Sequence, residues 1–81
     1  MRRPVVLPDL GAPAATLSIW FVNPGDQVYA GDRVVEVLIG GATFDVPSPV
    51  TGHLAEKCAL PDDQVAPGQI LGMVEEENSE N

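Results

Sequence analysis

The feature that most limits what this chain can fold into is that it repeats itself. Gly25-Asp26-Gln27-Val28-Tyr29-Ala30-Gly31 returns 37 positions later as Asp62-Asp63-Gln64-Val65-Ala66-Pro67-Gly68, keeping the Asp-Gln-Val core and the closing glycine. In the same register Leu17 maps to Leu54, Val34 to Leu71 and Val37 to Val74. Self-similarity at a fixed offset marks two copies of one supersecondary unit. Each copy reads as strand, turn, strand, with too little apolar surface to be stable alone. The two must therefore close on each other face to face as a small sandwich.

Between the copies lies the best-specified local element. Val34–Val46 (VVEVLIGGATFDV) sets two runs of apolar and β-branched residues around Gly40-Gly41, a strong signal for a type I′ hairpin with both glycines at positive φ. With those glycines as the loop, Ile39 pairs with Ala42, Val37 with Phe44 and Val35 with Val46 on the buried face. Leu38 with Thr43, and Glu36 with Asp45, fall on the other face, where water screens the two like charges.

The remaining segments are read by period and punctuation. Pro4–Leu10 is an edge strand, because Pro8 cannot donate to an interior ladder. Thr16–Val22 alternates Leu17, Ile19 and Phe21 against Thr16, Ser18 and Trp20, which puts Trp20 over the outer face. Asn23-Pro24-Gly25-Asp26 and Ala30-Gly31-Asp32 are turns flanking a short strand at Val28, and Pro47-Ser48-Pro49 ends the hairpin. Gly52 is a bulge or bend. The segment LAEKCAL, Leu54–Leu60, has helical propensity, but it stands where LSIWFV stands in the first copy and is therefore a strand within His53–Ala59. The expected domain spans residues 4–75, between an unstructured 1–3 and an acidic flexible tail or linker at 76–81.

Composition narrows the function. At 81 residues the chain is one domain, too small for a cleft between lobes, and an enzyme is disfavoured. Its net charge of −8, with Arg2, Arg3, Arg33 and Lys57 forming no basic face, argues against nucleic acid or an anionic membrane as partner. Single Cys58 cannot form an internal disulfide and suits a reducing cytoplasm. No apolar run approaches the roughly 18 residues of a membrane span. The segment after Met1-Arg2-Arg3 is no signal-peptide core. The reading is a soluble, cytoplasmic protein.

The Trp20 strand running into Gly25-Asp26-x-Val28-x-x-Gly31-Asp32, the hairpin with Ala42-Thr43-x-Asp45-Val46, then Pro47-Ser48-Pro49-x-x-Gly52 and Asp63-x-Val65-x-x-Gly68 resemble the lipoyl domains of 2-oxo acid dehydrogenase acyltransferase (E2) subunits. Biotinyl carrier domains share that fold. The resemblance implies an all-β flattened barrel or sandwich of two four-stranded antiparallel sheets with pseudo-twofold symmetry. It also implies a hairpin-tip lysine, commonly within Asp-Lys-Ala, whose amine is joined by an amide bond to lipoate, or in the related family to biotin, as a swinging arm. Aligned on Ala42-Thr43-x-Asp45-Val46, that lysine falls at Gly41 and its acidic neighbour at Gly40, beside Ala42; Leu38 and Ile39 replace the usual polar or acidic residues. Lys57, the one lysine, lies in the strand equivalent to that of Trp20, and the biotinyl Met-Lys-Met signature is absent.

The expectation is therefore a non-catalytic, unlipoylated lipoyl-like domain with no cofactor on this chain, acting as a structural or protein-interaction module. Its expected partners are components of a 2-oxo acid dehydrogenase-type complex, or a second copy through the hairpin region, with Leu38 as contact residue. The alternative is a lipoyl or, less favoured, biotinyl carrier of an acyltransferase or carboxylase complex whose acceptor is lost or altered. His53 lacks neighbours at metal-ligand spacing and reads as solvated. Asp26, Asp32 and Asp63 read as caps on their own turns. Ser18, Ser48 and His53 form no hydrolytic arrangement.

Overall fold

The computed structural model describes residues 1–77. Eight strands follow in order: β1 Arg2–Val6, β2 Ala15–Trp20, β3 Gln27–Val28, β4 Arg33–Ile39, β5 Ala42–Pro47, β6 Gly52–Lys57, β7 Gln64–Val65 and β8 Ile70–Glu76. They form two four-stranded antiparallel sheets, ordered β1-β8-β6-β3 and β5-β4-β2-β7. The all-β sandwich is as the sequence predicts. Among the described residues no helix is long and apolar enough to cross a membrane.

The 37-residue repeat is written into the pairing. Leu17 opposes Val37 and Leu54 opposes Val74; Ile19 opposes Glu36 and Glu56 opposes Met73; Trp20 opposes Val35 and Lys57 opposes Gly72. Both registers slip at the same place, after Leu17 and after Leu54. The inner faces meet in one core, with Leu17, Val34, Val35, Val37 and Val46 from one sheet against Val5, Leu54, Leu71 and Val74 from the other.

Those slips correct the alternation expected for β2. Ser18 is an extra residue in the ladder, and one inserted residue exchanges the faces beyond it. Trp20 consequently points inward, only 8% exposed, while Ile19 and Phe21 are 47% and 37% exposed. The Trp20 Nε1–H donates to the Ala59 carbonyl at 2.8 Å, which satisfies the indole's one polar group inside the core. The bulge after Leu54 interrupts β6 in the same way. Gly52 is no bulge: it opens β6, where a Cβ would lie 1.9 Å from the Glu75 carbonyl oxygen.

The first strand also differs from its sequence reading. It begins at Arg2 and ends at Val6, with Arg2 opposite Glu75 and Arg3 opposite Val74, so residues 1–3 are structured rather than free. The Met1 ammonium reaches Glu75 Oε2 at 2.7 Å, and the Glu76 N–H donates to the Met1 carbonyl. Cross-strand ion pairs thus extend β1 beyond its apolar residues. At the other end β8 includes Glu76, one residue past the expected boundary; residues 78–81 of the expected acidic tail lie outside the described residues.

The turns have one chemistry. Asp26, Asp32 and Asp63 each accept from the backbone N–H three residues upstream, of Asn23, Tyr29 and Leu60, at 2.8–3.0 Å, and Gln69 does the same for Ala66. Gly25 takes φ 96° and its counterpart Asp62 takes φ 78°, the one non-glycine left-handed residue among those described.

Candidate functional site: the hairpin tip

The register of β4 and β5 is the one the sequence specifies, from Val35 opposite Val46 to Ile39 opposite Ala42. Val35, Val37 and Val46 are buried, and Ile39 and Phe44 are half-buried against the core. That anchoring holds Gly40-Gly41 at the exposed tip. The turn type differs from expectation: Gly40 takes φ 61°, but Gly41 lies outside the left-handed region. A single positive φ at the first loop residue is the pattern of a type II′ turn, which requires glycine only there. Gly41 is conformationally unrestricted, and a Cβ built on it meets nothing within 4 Å.

Gly40, Gly41 and Ala42 offer a solvated backbone turn and no amine, so these residues do not fit covalent attachment of lipoate or biotin. Lys57 is committed elsewhere. It ends β6, with Nζ 3.0 Å from Asn23 Oδ1 and 5.9 Å from the centre of the Trp20 ring. Leu38, opposite Thr16 and Thr43, is half-buried on the outer face. Gln64 Nε2 donates to Thr16 Oγ1 beside it.

The other singled-out groups do not converge on the tip. His53 is exposed on β6 opposite Gln27 and Glu75. Ser48 is buried and donates to the Val50 carbonyl at 2.6 Å. Among the described residues no three His, Cys, Asp or Glu side chains gather as a metal site. Partial burial, and then the neighbouring Glu56 carboxylate 3.8 Å from Sγ, push the exposed Cys58 thiol above its ordinary range, which disfavours the thiolate. The hydrogen bond from the Met1 ammonium holds Glu75 below the usual carboxylate range.

Sequence reasoning placed Leu38, Glu36 and Asp45 on the outer face of the β5-β4-β2-β7 sheet but missed what Ile19, Phe21 and Arg33 add to it. Arg33 lies 4.5 Å over the Phe21 ring and 3.5 Å from Asp45, and Ile19 stands beside Glu36. Only the bulge at Ser18 brings Ile19 to this face, and no residue type announces that bulge.

A twofold-repeated, eight-stranded sandwich that displays one tight hairpin is the architecture of a carrier domain, which is not itself catalytic. The family model for biotin and lipoyl domains, described as "Biotin-requiring enzyme", matches residues 3–74, and the chain belongs to that family. It is 33% identical over 79 residues to the lipoamide acyltransferase component of the branched-chain alpha-keto acid dehydrogenase complex of Pseudomonas putida, covering 95% of this chain and 19% of that protein. It is 36% identical over 77 residues to the dihydrolipoyllysine-residue succinyltransferase component of the 2-oxoglutarate dehydrogenase complex of Bartonella vinsonii subsp. berkhoffii, covering 93% and 19%. The chain thus spans about a fifth of these relatives, and the likeness is to their lipoyl domain alone. The solution structure of the lipoyl domain of the 2-oxoglutarate dehydrogenase complex from Azotobacter vinelandii shares the fold, with TM-score 0.73 and 22% identity over 93% of this chain and 98% of that one.

Proposed function

We propose that this is an unlipoylated lipoyl-type domain, a structural or protein-interaction module within or beside a 2-oxo acid dehydrogenase-type assembly in the cytoplasm. One observation carries the reading: the tip is Gly40-Gly41, and Gly41, at the place of the family's acceptor lysine, has no amine to acylate. Lys57 is no substitute, since its ammonium is held by Asn23 at a strand end rather than on a tight turn. Leu38 is the proposed contact residue near the tip, with self-association through the hairpin as the competing arrangement.

A second reading has its own support. Gly41 lies outside the left-handed region with open space around it, so the backbone would take a lysine there without strain. The domain is then a lipoyl carrier, or less favourably a biotinyl one, whose acceptor was lost while its display scaffold was kept. Intact mass spectrometry of protein from its own host, with lipoate and biotin ligases abundant, tests the first reading. A mass equal to the bare polypeptide is expected; an adduct at any residue contradicts it.

A further inference from the structure

We infer that the outer face of the β5-β4-β2-β7 sheet is a docking surface for a protein segment that presents apolar side chains together with cations. The inference rests on the interaction reading above and names its surface and partner chemistry.

The repeat supplies the control. The two sheets share one backbone, so each outer position of one has a counterpart in the other. On the β1-β8-β6-β3 sheet, Glu56, Cys58 and Glu75 occupy three such positions, and the face satisfies itself: Arg2 pairs with Glu56 and Glu75, and the Met1 ammonium with Glu75. On the other sheet the same positions hold Ile19, Phe21 and Leu38. At these three positions two ion-paired carboxylates and a thiol on one sheet are replaced by exposed Ile19 and Phe21 and half-buried Leu38 on the other, while the first sheet keeps one exposed apolar pair, Val6 opposite Ile70, at the start of β8. An apolar face framed by polar residues is the composition of a contact surface.

Charge selects the occupant. Glu36, in register between Ile19 and Asp45, has no ion-pair partner among the described residues, and Asp45 has only the exposed Arg33. Arg2, Arg3 and Lys57, three of the four Lys and Arg residues, belong to strands of the other sheet. A second copy would bring the same acidic surface and a net charge of −8 against this one, which is repulsive. A segment carrying Lys or Arg beside Leu or aromatic groups complements both features.

Backbone-amide NMR of the intact chain, titrated with a Lys/Leu peptide patterned as an amphipathic helix and with its Glu/Leu counterpart, tests the inference. Expected are shifts with the Lys/Leu peptide confined to Ile19, Phe21, Glu36, Leu38 and neighbours, weakened by salt. Ile19→Ser with Leu38→Ser should reduce affinity on the order of tenfold. Glu36→Lys should also weaken binding and serves if the serine pair does not fold. Shifts spread over both sheets, equal shifts with the Glu/Leu peptide, or none at all overturn the proposal. Concentration-dependent shifts on this face without peptide overturn it in favour of a second copy. An unmodified mass with no binding sinks this inference alone, whereas an adduct sinks the unlipoylated reading and leaves the docking result to be judged by its own shifts.

Discussion

Trp20 lies against the bare backbone of Gly72: a Cβ on Gly72 would sit 2.7 Å from the indole Cη2. The repeat makes this pairing informative. Gly72 occupies the place of Val35, and Lys57 that of Trp20, so one half supplies the indole and the other gives up a side chain to receive it. Two indoles and two valines at these four positions would overfill the core.

The first prediction concerns that slot. Gly72→Ala should destabilise by about 1–3 kcal/mol, the usual cost of overpacking, and Trp20→Ala by about 3–5 kcal/mol through the cavity it leaves. Urea unfolding followed by circular dichroism measures both. A Gly72→Ala domain as stable as the parent would show that both the ring and the Glu56 carbonyl oxygen, 2.8 Å from that Cβ, give way freely.

A left-handed residue gives the second. Asp62 stands at φ 78° where the first repeat has Gly25 at φ 96°. Asp62→Gly should stabilise by up to about 1 kcal/mol, because the side chain is strained there. Gly25→Ala should cost on the order of 1–2 kcal/mol for the same reason. Thermal melts with the same sign for both substitutions would refute the conformational argument.

How much of this was legible in the residues is clearest at the hairpin and at β2. The Val35–Val46 register followed from two alternating runs and a glycine pair, because strand period and loop length jointly leave one pairing. The turn type did not, since two glycines satisfy either primed turn and the choice is made by the flanking strands. For Trp20 the period-two reading failed at Ser18: a bulge is stabilised by packing of both sheets, which no local pattern records. Its partner left a trace, a glycine in the apolar run of β8. The ordering of Arg2 and Arg3 depended on Glu56, Glu75 and Glu76, more than 50 residues away in sequence.

Gly52 provides a third prediction. With a Cβ falling 1.9 Å from the Glu75 carbonyl oxygen, Gly52→Ala must displace backbone, and a loss of about 3 kcal/mol or more is expected. A native-like amide spectrum at unchanged stability would contradict the close approach of β6 and β8.

The fourth concerns pH. Glu75 is held below its ordinary value by the Met1 ammonium. The interaction therefore stabilises the fold above the ordinary glutamate value of about 4.3 and is lost as pH falls through the depressed one. In an NMR titration the Glu75 carboxyl should have a midpoint below that ordinary value, and acetylating the Met1 amine should raise it. An unmoved midpoint on acetylation would assign the shift to Arg2 and His53 instead.

Under the proposed function the display scaffold is intact and only the acceptor is missing. The most direct test is the intact mass of the parent and of Gly41→Lys, each expressed with an active lipoate ligase. The bare polypeptide mass is expected for the parent, and a single lipoyl adduct, mapped to position 41, for Gly41→Lys. An adduct on the parent, or a folded Gly41→Lys domain that stays unmodified, would contradict that function.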